Sequence, residues 1–125
     1  MRDTQDRSGG LLAWQWALYP EGHTTRSNLL IHIVTVPIFE MGTLLLLSGL
    51  RTGLGYAITG LLMMVGAMAC QGRGHAGEPN RPVPFLGPLD VFARILSEQW
   101  IAFPRFVIRG GFGRAWIAAG PRPPA

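Results

Sequence analysis

The sequence predicts an all-α membrane protein: a helical hairpin of two transmembrane helices, flanked by interfacial amphipathic helices. Three observations predict it. Apolar residues make up 48% of the 125 and charged residues only 14%, with a mean hydropathy of +0.25, too little charge to cover a soluble domain. Two apolar runs are long enough to cross a bilayer. The 17 glycines and 10 prolines are high for a soluble helical protein, but small residues suit a membrane bundle in which helices approach closely. The length allows one small domain.

The elements follow in chain order. Residues 1–10 form a mixed-charge polar tail. Leu11–Tyr19 (LLAWQWALY) is apolar and rich in aromatics. A nine-residue helix spans only about 14 Å, so this segment lies at the headgroup level and does not cross. It is also too short and too tryptophan-rich for the core of a cleavable signal. Pro20, Glu21 and Gly22 end it. Ser27 or Asn28 offers a helix cap ahead of the first span, Leu29–Leu50, whose 22 residues include only His32 and Glu40 as ionisable groups. Pro37 removes one backbone hydrogen bond and predicts a bend. Arg51, Thr52 and Gly53 read as a tight turn before the second span, Leu54–Cys70, which is uncharged.

Gln71–Pro88, crowded with Gly, Pro and Arg, reads as a loop. In Val91–Phe103, Val91, Phe92, Ile95, Leu96, Trp100 and Phe103 share one helical face, and Arg94, Ser97 and Glu98 lie opposite, the pattern of an interfacial helix. Residues 109–125, Gly- and Pro-rich, read as a flexible tail. The membrane domain is thus expected over 11–108.

The net charge of +4 comes from arginine alone, with no lysine. The arginines are scattered singly, so nucleic acid is not an expected partner and the bilayer is. Arg2, Arg7 and Arg26 precede the first span, Arg73, Arg81, Arg105, Arg109, Arg114 and Arg122 follow the second, and Arg51 alone marks the hairpin tip. The positive-inside rule then places both termini in the cytoplasm. That means the inner membrane of a bacterium or the endoplasmic reticulum of a eukaryote. Cys70 is the single cysteine, so no intrachain disulfide can form.

This topology gathers the three histidines, His23, His32 and His75, at one membrane face. Neutral imidazole is the commonest protein ligand for transition metals, so they form a candidate metal site. Asn28 lies one turn before His32, where its amide could hold the second ring nitrogen. His75 and Glu78 form H-x-x-E, which projects both side chains together if helical, although Gly72, Gly74 and Gly77 oppose a helix there. Two histidines and a carboxylate with open positions match the ligand set of non-haem Fe(II) oxygenases. Glu40 lies too deep to share a metal with His32 and reads as an interhelical hydrogen-bonding group. An interhelical hydrogen bond remains the alternative role for His32.

Taken together, the residues spell Y-x(3)-H-x(4)-N-x(3)-H-x(4)-P over Tyr19, His23, Asn28, His32 and Pro37. Downstream they spell G-H-x-x-E-x-N-R-P over Gly74, His75, Glu78, Asn80, Arg81 and Pro82. This pair of motifs resembles the Mpo1-like (DUF962) family of small membrane proteins, over Tyr19 to about Phe106. The resemblance implies an Fe(II)-dependent dioxygenase that shortens a 2-hydroxy fatty acid by one carbon. It implies His23, His32 and His75 as metal ligands, and Asn28, Glu78, Asn80 and Arg81 as further motif positions. Among these, Glu78 and Arg81 are the candidates for a catalytic part, with Arg81 facing the substrate carboxylate. The chain supplies three histidines where the fungal branch of that family uses four, and two clear spans where that branch has more.

The competing reading is a non-catalytic membrane protein whose histidines hold a structural metal or a haem, or an accessory subunit with a packing face at Gly66, Ala67 and Ala69. Association as a homo-oligomer is open under both readings.

Overall fold

The computed structural model describes residues 5–121, and its described residues are helical with no strand. Arg2 and Arg122, read above as topology charges, lie outside the described residues, as do the two extreme ends of the predicted tails. The helices are α1 (Leu11–Leu18), α2 (Arg26–Thr52), α3 (Leu54–Ala76), α4 (Pro88–Ser97), α5 (Phe103–Ile108) and α6 (Gly111–Ala118). A 3-10 turn, Tyr19–Gly22, follows α1, and a π-helical turn, Glu98–Ala102, joins α4 to α5. The chain divides into two compact units, residues 27–77 and residues 1–26 with 78–125.

The first unit consists of α2 and α3, the two helices long and apolar enough to cross a membrane. Only 33% and 22% of their most apolar windows are buried, unlike the core helix of a soluble domain. Leu30, Val34, Met41, Leu44 and Leu47 on α2, and Ile58, Leu61, Leu62 and Val65 on α3, are exposed. The two helices touch through residues without bulk. A Cβ at Gly49 would overlap the backbone of Ala57, and one at Gly60 would overlap the Gly42 carbonyl and the Leu46 backbone. Partner numbers on α3 fall as those on α2 rise. Gly66 and Ala69 do not take part: Gly66 has open space beside it and Ala69 is exposed, whereas Ala67 is buried. Thr35, Thr43 and Thr59 donate their hydroxyls to the carbonyls four residues back, so these polar groups are satisfied inside apolar helices.

Several boundaries differ from those read in the sequence. α2 starts at Arg26 and runs unbroken through Pro37 to Thr52, leaving Gly53 alone as the break between the long helices. α3 continues past Cys70 to Ala76, through Gly72 and Gly74. Two glycines lower helix propensity but remove no hydrogen bond, and the helical ladder persists. The loop therefore begins at Gly77, not Gln71. The expected flexible tail holds α6, which Gly110 starts with a left-handed φ of 78° that a side chain would resist.

In the second unit, the segment read as one amphipathic helix is two helices joined by the π turn, and its burial is mixed, with Phe103 inside and Val91 and Ile95 half-buried. Phe92, Leu96 and Trp100 are exposed, while Arg94 and Gln99 are buried. Arg94 is held by the Pro84 carbonyl at 3.1 Å and stacks on Phe85 (4.3 Å) and Trp14 (5.0 Å). Arg7 covers Trp14 at 4.0 Å and forms a two-pronged ion pair with Asp90. That pair, together with the Leu86 N–H, lowers the Asp90 pKa to about 2.

Candidate functional site

Each unit places ligand-type side chains side by side. In residues 27–77, His32 sits two turns into α2 and is fully buried, and His75 lies in the last turn of α3. Their rings meet edge to face with centroids 4.8 Å apart. Two contacts set that spacing. At Gly74 a Cβ would overlap Asn28 Oδ1, so any larger residue would force the buried Asn28 amide to shift. One turn away, buried Gln71 donates Nε2–H to Thr35 Oγ1 at 3.0 Å, while the Thr35 hydroxyl donates to the Ile31 carbonyl.

His32 Nδ1 lies 2.9 Å from the Asn28 carbonyl oxygen. A carbonyl only accepts, so Nδ1 carries the proton, and in the neutral ring Nε2 carries the lone pair. The sequence pointed to Asn28 as the residue orienting His32. The hydrogen bond runs through its backbone carbonyl, whereas the amide side chain was the expected partner.

In residues 5–26 with 78–121, the 3-10 turn with Pro20 in its first positions presents His23, which is buried. His23 repeats the His32 arrangement: its Nδ1 lies 2.9 Å from the carbonyl four residues back, here that of Tyr19. The ring stacks on Tyr19 with centroids 4.0 Å apart and leans on Phe106 at 5.9 Å. Its Nε2 is 3.7 Å from Glu98 Oε1, to which the buried Tyr19 hydroxyl also donates a long hydrogen bond of 3.5 Å. Burial, then the Glu98 carboxylate, raises the Tyr19 pKa well above 10.0, so the phenol keeps its proton.

Glu98 is the residue that sequence reasoning missed. It lies 75 positions from His23, and helical spacing assigned it to an outer polar face. The π turn and the inward polar side place it against His23 instead.

The other predicted residues have definite places. Helix α3 ends before Glu78, so H-x-x-E is not a helical pair. The Glu78 carboxylate is buried and accepts from the backbone N–H groups of Thr24 and Thr25, each at 3.0 Å, and from their hydroxyls at 2.6 and 2.9 Å. Asn80 donates Nδ2–H to the Glu21 carbonyl at 3.2 Å. Glu78 and Asn80 thus clasp both sides of the turn that carries His23. Arg81 is exposed in the loop after α3.

Within each unit the neighbouring donors, His32 with His75 in one and His23 with Glu98 in the other, are borderline ligands of the kind suited to iron, zinc and their neighbours. The ligand atoms of His32 and His75 lie within 4.8 Å of each other, a span that one ion between them bridges at ordinary coordination distances. No family model, curated protein or solved structure matches this chain.

Proposed function

We propose that this protein is an integral membrane oxygenase that uses Fe(II), held by His23, His32 and His75, to shorten a 2-hydroxy fatty acid or a related lipid by one carbon. The observation that carries the metal is the repeated imidazole arrangement. His23 and His32 each donate Nδ1–H to a carbonyl four residues back, the tautomer that presents Nε2 as a ligand atom. His75 beside His32 and Glu98 beside His23 supply the further donors. The substrate class rests on the resemblance to the Mpo1-like (DUF962) family. Membrane placement rests on α2 and α3, which carry exposed apolar side chains along their length and would cross as an antiparallel hairpin. The arginine distribution favours cytoplasmic termini.

In this reading the chain's residues have separable tasks. The Tyr19 and Asn28 carbonyls fix the imidazole orientations. Glu78, through Thr24 and Thr25, holds the turn that carries His23. Arg81, exposed, pairs with the substrate carboxylate, and the apolar helix faces receive its alkyl chain. Bound Fe(II) supplies the redox chemistry with dioxygen that oxidative loss of one carbon requires.

The test is metal analysis of detergent-purified protein after Fe(II) loading, beside a triple variant carrying His23→Ala, His32→Ala and His75→Ala. Near-stoichiometric iron is expected in the wild type and none in the variant, followed by one-carbon shortening of 2-hydroxy fatty acids under oxygen. Absence of iron from the loaded wild type would sink the oxygenase reading. A Soret band on purification would replace it with a haem protein.

A further inference from the structure

Glu40 is the fifteenth of the 27 residues of α2. At 1.5 Å per residue it lies about 18–21 Å from either helix end, farther than a glutamate side chain reaches toward water. It is half-buried, on the flank of the helix where Leu44 and Leu47 stand exposed one and two turns on. Among the described residues no hydrogen bond or ion pair reaches its carboxyl. The arginines of α2 and α3 stand in terminal turns, Arg26 and Arg51 on one and Arg73 on the other, so neither helix offers a cation at that depth. A carboxyl group in the middle of a span requires a partner.

We propose that Glu40 is the contact through which two copies of this chain associate within the bilayer, carboxyl against carboxyl across a two-fold axis. A carboxylic acid carries one donor and one acceptor, so two of them satisfy each other. Copies inserted in the same orientation and related by an axis along the membrane normal bring identical residues together at identical depth. Glu40 of one copy therefore meets Glu40 of the next, whereas any other partner would have to supply a polar group at that level. The helix flank around it has no bulky polar residue to keep a second copy away, and interhelical hydrogen bonds of this kind drive association where apolar contact alone does not. The inference rests on the membrane placement of α2 proposed above and is independent of iron.

The experiment is energy transfer between donor- and acceptor-labelled copies of the full chain in phosphatidylcholine vesicles, titrated over lipid-to-protein ratio. Wild type, Glu40→Gln and Glu40→Leu are compared, with helix content checked by circular dichroism. Dimerisation is expected for the wild type. Glu40→Gln should largely keep it, because an amide is also self-complementary, and Glu40→Leu should weaken it about threefold to twentyfold. Wild type that stays monomeric at every ratio, or Glu40→Leu that associates as well as wild type, overturns the proposal. Flotation of the vesicles separates the two readings. Protein that fails to float loses both the membrane placement and the dimer, and protein that floats as a monomer loses the dimer alone.

Discussion

Residues 27–77 bury polar groups by bringing two backbones close together, whereas residues 5–26 with 78–121 bury them by surrounding charge with aromatic rings and carboxylates. In the first unit the contacts are Gly42, Gly49, Gly60 and Gly74 against backbone or Asn28, and the buried polar groups are two amides, a hydroxyl and an imidazole: Asn28, Gln71, Thr35 and His32. In the second, buried Arg94 and half-buried Arg7 lie against Trp14, half-buried Arg26 over Trp116 and exposed Arg105 over Trp16, with Asp90 and Glu78 as half-buried and buried acceptors. The difference fits the membrane placement proposed above for α2 and α3. Neutral amides and hydroxyls tolerate hydrocarbon when internally bonded, and guanidinium groups need water or an aromatic face nearby. A chain with arginine as its only basic residue can use the planar ion in this way, and lysine could not stack as well.

The comparison can be broken most severely at a glycine. Gly60→Leu should destabilise the α2–α3 contact by about 3 kcal/mol or more, because its side chain meets backbone that cannot move aside. Gly66→Leu, with open space around it, should stay within about 0.5 kcal/mol of wild type. Unfolding of both variants in detergent, followed by circular dichroism, measures the contrast, and equal losses would contradict the glycine seam.

Next in size is the carboxylate clasp of the other unit. Glu78→Ala leaves two N–H groups and two hydroxyls of Thr24 and Thr25 without their acceptor, at a cost of about 2 kcal/mol. Amide exchange at Thr24 and Thr25 should quicken while exchange within α3 stays slow. Uniform acceleration would mean that the clasp is not local.

Smaller still is Arg94→Lys, which keeps the charge but loses the planar stack on Trp14 and Phe85, about 1 kcal/mol by thermal unfolding with Trp fluorescence as the probe.

Least in magnitude is a pH effect. The folded pKa of Asp90, about 2, lies below its ordinary 3.8, so its contribution is complete above about pH 4 and is lost as pH falls through about 2. Arg7→Ala should move the Asp90 titration, read by carbon-detected NMR, back toward 3.8. A titration that does not move would show that Arg7 is not its main cause.

The two long helices were legible because their signal is local: a run of about twenty apolar residues declares itself whatever it packs against. Their ends were less legible. Composition marks Gly72 and Gly74 as loop residues, yet Gly74 lies inside α3, where its missing side chain leaves room for Asn28. The three histidines were legible as residues of the right chemistry, and Asn28 as the neighbour of His32. Which atom of Asn28 acts, and that Tyr19 does the same for His23, depend on backbone geometry that no spacing encodes. Glu78 drew attention through its distance from His75, but its hydrogen-bond partners lie more than fifty positions upstream. The burial of Arg94 on α4 was hidden because an amphipathic pattern defines two faces without saying what each one meets.

The π turn at Glu98–Ala102 makes chain length itself a specification. Such a turn holds one residue more than an α-helical turn would, and everything after it is rotated by about 100° relative to an uninterrupted helix. Phe103 and Phe106 are buried in that rotated phase. A substitution within 98–102 alters one side chain, whereas removal of a single residue there would turn both phenylalanines away from the interior and take the Phe106 ring from His23. At the exposed Trp100 and Ile101 this segment should therefore accept exchange of residues far more readily than it accepts a change in their number.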